Sequence, residues 1–186
     1  DSVENFTYSP GNSPGLLTVN SNATFAPGQS FLFEINKSTY WPGYAGAIGQ
    51  AGVDPGWDMM KINGDLNITA TSSNPMSVFI SSLSYTNLPG PLAGWYPAGN
   101  HEYAMVVTTG DITNFDVNKF VIDATLFTNQ NSTYGGYFYF RLSDNATHDT
   151  IFLCFKAFIP GVGVIGVPGV TGVIGEPGSP GGQGGP

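Results

Sequence analysis

Apolar and polar residues alternate in short runs along most of this chain. Phe31, Phe33 and Ile35 share one face of the run 31–35 at period two, and 66–70 alternates in the same way. Further β-branched or alternating runs occupy 16–20, 76–83, 102–108, 120–127, 137–142 and 150–158, with Gly, Pro and Asn clusters between them. Helical periodicity is not found. The pattern predicts an all-β body of about eight strands, an antiparallel β-sandwich of jelly-roll or immunoglobulin-like type. The body covers 1–158 and opens on an extended segment, 1–15.

Two connections are long and rich in glycine. The first carries Trp41, Tyr44 and Trp57, the second Trp95 and Tyr96. Long loops in a compact domain are usually functional or disordered, and large aromatics argue against disorder. These five rings are candidates for stacking a sugar or a partner surface. The competing reading is that they bury themselves beneath their loops or against a neighbouring subunit.

From Gly163 onward the chain reads GVI GVP GVT GVI GEP GSP GGQ GGP. Every triplet opens on glycine (Gly163, Gly166, Gly169, Gly172, Gly175, Gly178, Gly181 and Gly184), and Pro168, Pro177, Pro180 and Pro186 all fall in third position. In a three-stranded polyproline-II superhelix every third residue faces a crowded axis where only a hydrogen fits. The segment 159–186 resembles the collagen-like tails of surface and viral proteins, and the resemblance implies a homotrimeric stalk. Valine at the first variable position of the early triplets departs from the usual collagen pattern. A free Gly/Pro linker, or a segment inserted into a neighbouring subunit, are the alternatives. In the body, Pro27-Gly28 ahead of Phe31, Phe33, Ile35 and Asn36 is weakly similar to the first core strand of TasA- and camelysin-like fibre subunits. Such fibres donate an N-terminal segment, and 1–15 is the candidate here.

Charge narrows the partners. Five Lys and Arg against thirteen Asp and Glu leave a net charge of −8, which disfavours nucleic acid and anionic membranes. Six N-x-S/T acceptor sequences begin at Asn5, Asn22, Asn36, Asn67, Asn131 and Asn145. The 15 Asn and 31 Ser plus Thr of the sequence predict roughly 2.5 by chance, so six points to N-glycosylation outside the cytoplasm. Acceptor sequences with a single cysteine suit an archaeal or viral surface protein better than an animal secreted domain.

Little suggests chemistry. His101 and His148 are the only histidines, and no catalytic motif accompanies them. Cys154 lies among Phe152, Leu153 and Phe155 and reads as a small buried apolar residue. Asp54 with Asp58, and Asp111 with Asp116, read as solvated turn residues rather than a calcium loop. No catalytic residue, metal, cofactor or membrane span is expected. The sequence therefore suggests an extracellular structural glycoprotein at a cell or virion surface: a subunit that binds copies of itself in a trimer or filament. The second reading is an adhesive head on a collagen-like stalk, binding a glycan or host receptor.

Overall fold

In the computed structural model, which describes residues 6–11, 13–39, 47–143 and 148–158, all eight alternating runs form strand. Strand makes up 48% of the structure and helix 5%, so the protein is mostly β. After β1 (Thr7–Tyr8), the chain passes through β2 (Leu16–Val19), β3 (Ala23–Phe25) and β4 (Ser30–Ile35), each in a different sheet. An excursion with β5 (Gln50–Ala51) and β6 (Gly56–Trp57) follows. Then β7 (Met59–Ile62), β8 (Leu66–Ile68) and β9 (Met76–Ser82) visit the same three sheets in the same order. A third circuit is made by β10 (His101–Thr108), β11 (Ile112–Thr113) and β12 (Phe120–Asp123). A one-turn helix, α1 (Thr125–Thr128), precedes β13 (Tyr137–Ser143) and β14 (Thr150–Lys156). Sheet I has the order β13-β14-β10-β7-β2, and sheet II the order β11-β8-β3. Sheet III has the order β12-β9-β4-β6-β5, with β1 also on β4.

This is the topology of a three-sided solenoid of three windings. Equivalent strands of successive windings pair in parallel, with partners 43 to 47 residues apart (Leu16 with Met59, Ser30 with Ser77). The sheets are mixed, and among the described residues the expected antiparallel pairing joins only β4–β6, β10–β14 and β13–β14, apart from the isolated bridges Thr71–Asn74 and Leu83–Pro89. The reason lies in the corners. Only residues 20–22, 63–65 and 109–111 separate sheet I from sheet II in each winding, and each corner turns the chain onto a new sheet instead of back along the last strand.

The corners are stitched to one another. Asp65 N–H donates to Asn22 Oδ1 (2.9 Å), and Asp111 N–H donates to Asp65 Oδ1 (3.0 Å). Asn63 Nδ2 reaches Asn20 Oδ1 at 2.7 Å. Gly64 and Gly110 precede the two aspartates, and a Cβ at either would collide with the accepting oxygen, of Asn22 and of Asp65 respectively. Glycine is required there by close approach.

Within the windings the inward residues form columns. Leu17, Met60 and Val106 are in register in sheet I, Ala23, Leu66 and Ile112 in sheet II, and Phe31, Val78 and Ile122 in sheet III. Met60, Leu66, Phe31, Phe33 and Val78 are fully buried. The run 120–127 is strand only to Asp123; there Asp123 Oδ1 accepts from Thr125 N–H (2.9 Å) and α1 begins, turning Phe127 into the core.

Asp58, expected in a solvated turn, is fully buried where the chain leaves β6 for β7. Its Oδ1 accepts from Gly15 N–H and its Oδ2 from Glu34 N–H, both at 2.8 Å. One carboxylate thus ties the start of sheet I to sheet III. Burial pushes its pKa up to about 7; the two amide bonds oppose this and the nearby Glu34 adds to it. An acid that holds its proton more tightly folded than unfolded stabilises the fold fully below the ordinary carboxylate range near about 4, and that contribution is lost as pH rises through about 7. Urea midpoints of the wild type should therefore carry a decline between those pH values that Asp58→Asn, unable to ionise, lacks. Parallel pH profiles for the two proteins would refute this.

Candidate functional site

Sheet I continues two strands past the third winding, because β14 and β13 have no counterparts in sheets II and III. Beside this overhang lies a groove of about 470 Å³ between β12 and β13. Phe120 and Ile122 line it from the β12 side, Phe138 and Phe140 from the β13 side, and Val117 and Tyr137 stand at its rim. Phe120 and Phe140 meet at 5.0 Å between ring centroids, and Phe127 closes edge-on against Phe138 at 5.1 Å. Val117 and Tyr137 are 50% and 61% exposed, so the apolar lining reaches solvent. Among the described residues β12 pairs only with β9 and β13 only with β14, so each presents a free backbone edge.

The aromatic candidates have a different setting. Trp57 is buried, edge-on to Tyr103 at 5.3 Å, and its Nε1–H donates to Ala104 O (3.1 Å). Trp95 stacks on His101 at 4.7 Å, meets Phe127 and Phe155 edge-on, and donates from Nε1–H to Ser132 O (2.7 Å). Tyr96, half-buried, offers its carbonyl to His101 Nε2 at 2.8 Å. Both indoles therefore fasten loops to the body. Trp41 and Tyr44 lie outside the described residues, as do Asn5, Asn145 and all eight triplet glycines, Gly163 to Gly184.

His101 joins a buried polar chain. Its Nε2–H must donate to the Tyr96 carbonyl, which leaves Nδ1 to accept from Ser38 Oγ (3.1 Å), itself 2.9 Å from Tyr103 OH. Burial holds His101 below its usual pKa and Tyr103 above its own, so both are neutral near pH 7. Every polar atom in the chain is taken and Ser38 is buried, which makes this a structural link between the first long loop and β10. Cys154 is buried, with its thiol pKa raised by that burial.

The acceptor asparagines divide. Asn22 and Asn67 are exposed on the outer face of sheet II, beside Asp65 and Asp111 in a shallow polar groove. Asn36 is fully buried: its Nδ2 donates to Asp54 and Asn87, both at 2.7 Å, and its Oδ1 accepts from Gly56 N–H (2.8 Å). Asn131 is also buried, donating to Phe127 O (3.1 Å) and accepting from Leu92 N–H (2.8 Å). An amide nitrogen that is buried and already donating has no room for a sugar in the folded chain.

Sequence reasoning missed the groove, because β12 and β13 become neighbours only once the windings stack. Exposed aromatics at alternate positions Tyr137 and Tyr139 were its one local signal. No protein-family model, curated protein or solved structure matches the chain. No helix among the described residues is long and apolar enough to cross a membrane, which says nothing of β-barrels.

Two outcomes are expected. When a cell that modifies N-x-S/T sequences produces the chain, glycopeptide mapping of the folded product should find sugar at Asn22 and Asn67 and none at Asn36 and Asn131. Trp95→Ala should lower stability in urea by about 3 kcal/mol, since it removes a packed ring together with a hydrogen bond; an unchanged midpoint would show that the ring carries no packing load.

Proposed function

We propose that this chain is a structural subunit that assembles with copies of itself into an extracellular fibre or stalk. The observation that carries this reading is the apolar groove flanked by two free strand edges. Native proteins normally blunt such edges with charge, proline or a covering element, because an open edge templates pairing with another chain. Here the groove lining is aromatic and aliphatic throughout. A site for catalysis would need convergent polar groups, and this one offers an apolar surface for a polypeptide.

The tail supports the same reading. Its repeated glycine triplets favour a collagen-like triple helix, which needs three chains, so the tail supplies a stalk and the body is the unit it carries. Glycans at Asn22 and Asn67 keep the outer face of sheet II wet and away from subunit contacts. The contribution of 1–15 is narrower than a freely donated arm: β1 pairs with β4 of its own chain, and the Tyr8 ring lies against Phe25 and Phe31. An adhesive head has less support, since Trp57 and Trp95 are engaged internally.

Mass in solution by light scattering tests this. The full chain is expected at a multiple of its 19.6 kDa, and a chain ending at residue 158 at its monomer mass. A full chain that stays monomeric at every concentration would overturn the assembly reading.

A further inference from the structure

We propose that the groove between β12 and β13 receives residues 161–167 of a second copy of this chain, added as a strand along the free edge of β12. This deepens the assembly reading and rests on it. The first argument is that the solenoid stops unevenly. Sheet I gains β14 and β13 after the third winding, whereas sheet III ends at β12. Phe140 is packed on Phe120 of β12, whereas the rings of Tyr137 and Tyr139 stay exposed along the groove. A strand on β12 occupies the position that sheet III of a fourth winding would fill, and it covers those rings.

The second argument is the chemistry of the occupant. Residues 159–175 contain no charged side chain, matching a groove that presents no charge. Within them 161–167 reads Gly-Val-Gly-Val-Ile-Gly-Val, bounded by Pro160 and Pro168, so each of its amides is free to join a ladder. Its glycines permit close approach beneath the aromatic rim, and its Val and Ile side chains supply apolar area to bury.

The donor is a neighbour for a geometric reason. Lys156, at the end of β14, is the register partner of Tyr137, so the chain leaves the body on the far side of β13 from the groove. To fill its own groove it would have to cross β13, about 10 Å at the usual strand spacing, on Ile159 and Pro160, which supply about 7 Å. Passing to another copy needs no such crossing. Donation from each copy to the next closes as a ring, and the six triplets from Gly169 onward remain to wind together on its axis.

The test uses full-length chains with distinct tags, one carrying Tyr137→Cys and the other Val164→Cys, mixed and treated with a short bismaleimide cross-linker. Wild type, whose Cys154 is buried, is the control. The expected product is a cross-linked pair bearing both tags, lost at least tenfold when Ile165→Asp is added to the donor. That substitution is beyond residue 158, the last described residue of the body, and the body's circular dichroism is expected to be unchanged. Cross-linking confined within single copies of a chain carrying both cysteines would overturn donation to a neighbour. An oligomeric chain with no cross-link, or one indifferent to Ile165→Asp, would overturn the groove as the docking site while leaving assembly standing. A monomeric full chain would overturn both.

Discussion

The fold depends on side-chain oxygens at one corner accepting backbone amides from the corner of the next winding. Asn22 accepts from Asp65, and Asp65 accepts from Asp111, so the first, second and third windings are linked in series at a single edge of the solenoid. These bonds fix the axial register. A slip of one residue in any winding would break them and would also turn each buried column outward, because side chains alternate faces along a strand. Gly64 and Gly110 follow from the same constraint, since the accepting oxygen occupies the space of a β-carbon. Hydrogen bonding at the corners and apolar stacking in the walls thus select the same register, and such agreement between levels is what gives a sequence one folded state.

The scarcity of basic residues decides how buried acids are satisfied. With five Lys and Arg in the chain, the protein uses backbone amides in place of ion pairs inside. Asp58 takes N–H donors from Gly15, just before β2 of sheet I, and from Glu34 in β4 of sheet III, and Asp149, also buried, accepts from Ile112 N–H (2.7 Å) at the start of β11. Arg141 and Glu102 form a salt bridge at 3.0 Å on the exposed face of β13 and β10, where such pairs contribute little. Amide donors are fixed by the fold itself, so these carboxylates double as sheet-to-sheet clamps. The cost is desolvation, visible in the raised pKa of Asp58.

Strand-forming residues were legible because alternation is a local property. Phe31, Phe33 and Ile35 are all buried, as period two requires. How the strands are joined was not legible from alternation. It was written more faintly, in Gly64-Asp65-Leu66 and Gly110-Asp111-Ile112, two copies of one corner whose first-winding counterpart, Ser21-Asn22-Ala23, keeps the chemistry and not the letters. Short strands such as β7, with Met60 and Ile62 inside and Lys61 outside, escaped notice beside the longer runs. Acceptor sequences at Asn36 and Asn131 fit the same N-x-S/T pattern as those at Asn22 and Asn67. Only the fold separates them, since burial is set by neighbours distant in the chain. The groove is illegible for the same reason.

A solenoid of three windings has two ends, and each must be covered or shared. At the first end β1 and β6 lie along the outer edge of β4, and Tyr8 closes over Phe25 and Phe31. At the other end the β13–β14 pair extends sheet I and Trp95 packs between Phe127 of α1 and Phe155 of β14, while among the described residues no strand pairs with the outer edge of β12. The two ends therefore differ in shape and in chemistry. A two-fold contact would require one patch to match itself, and the bare edge of β12 lacks a second overhang to fill its groove. An extended apolar segment supplies that shape. Association between unlike surfaces is head-to-tail, and such contacts generate rings or filaments rather than closed pairs. The direction of assembly is set by the way the third winding ends.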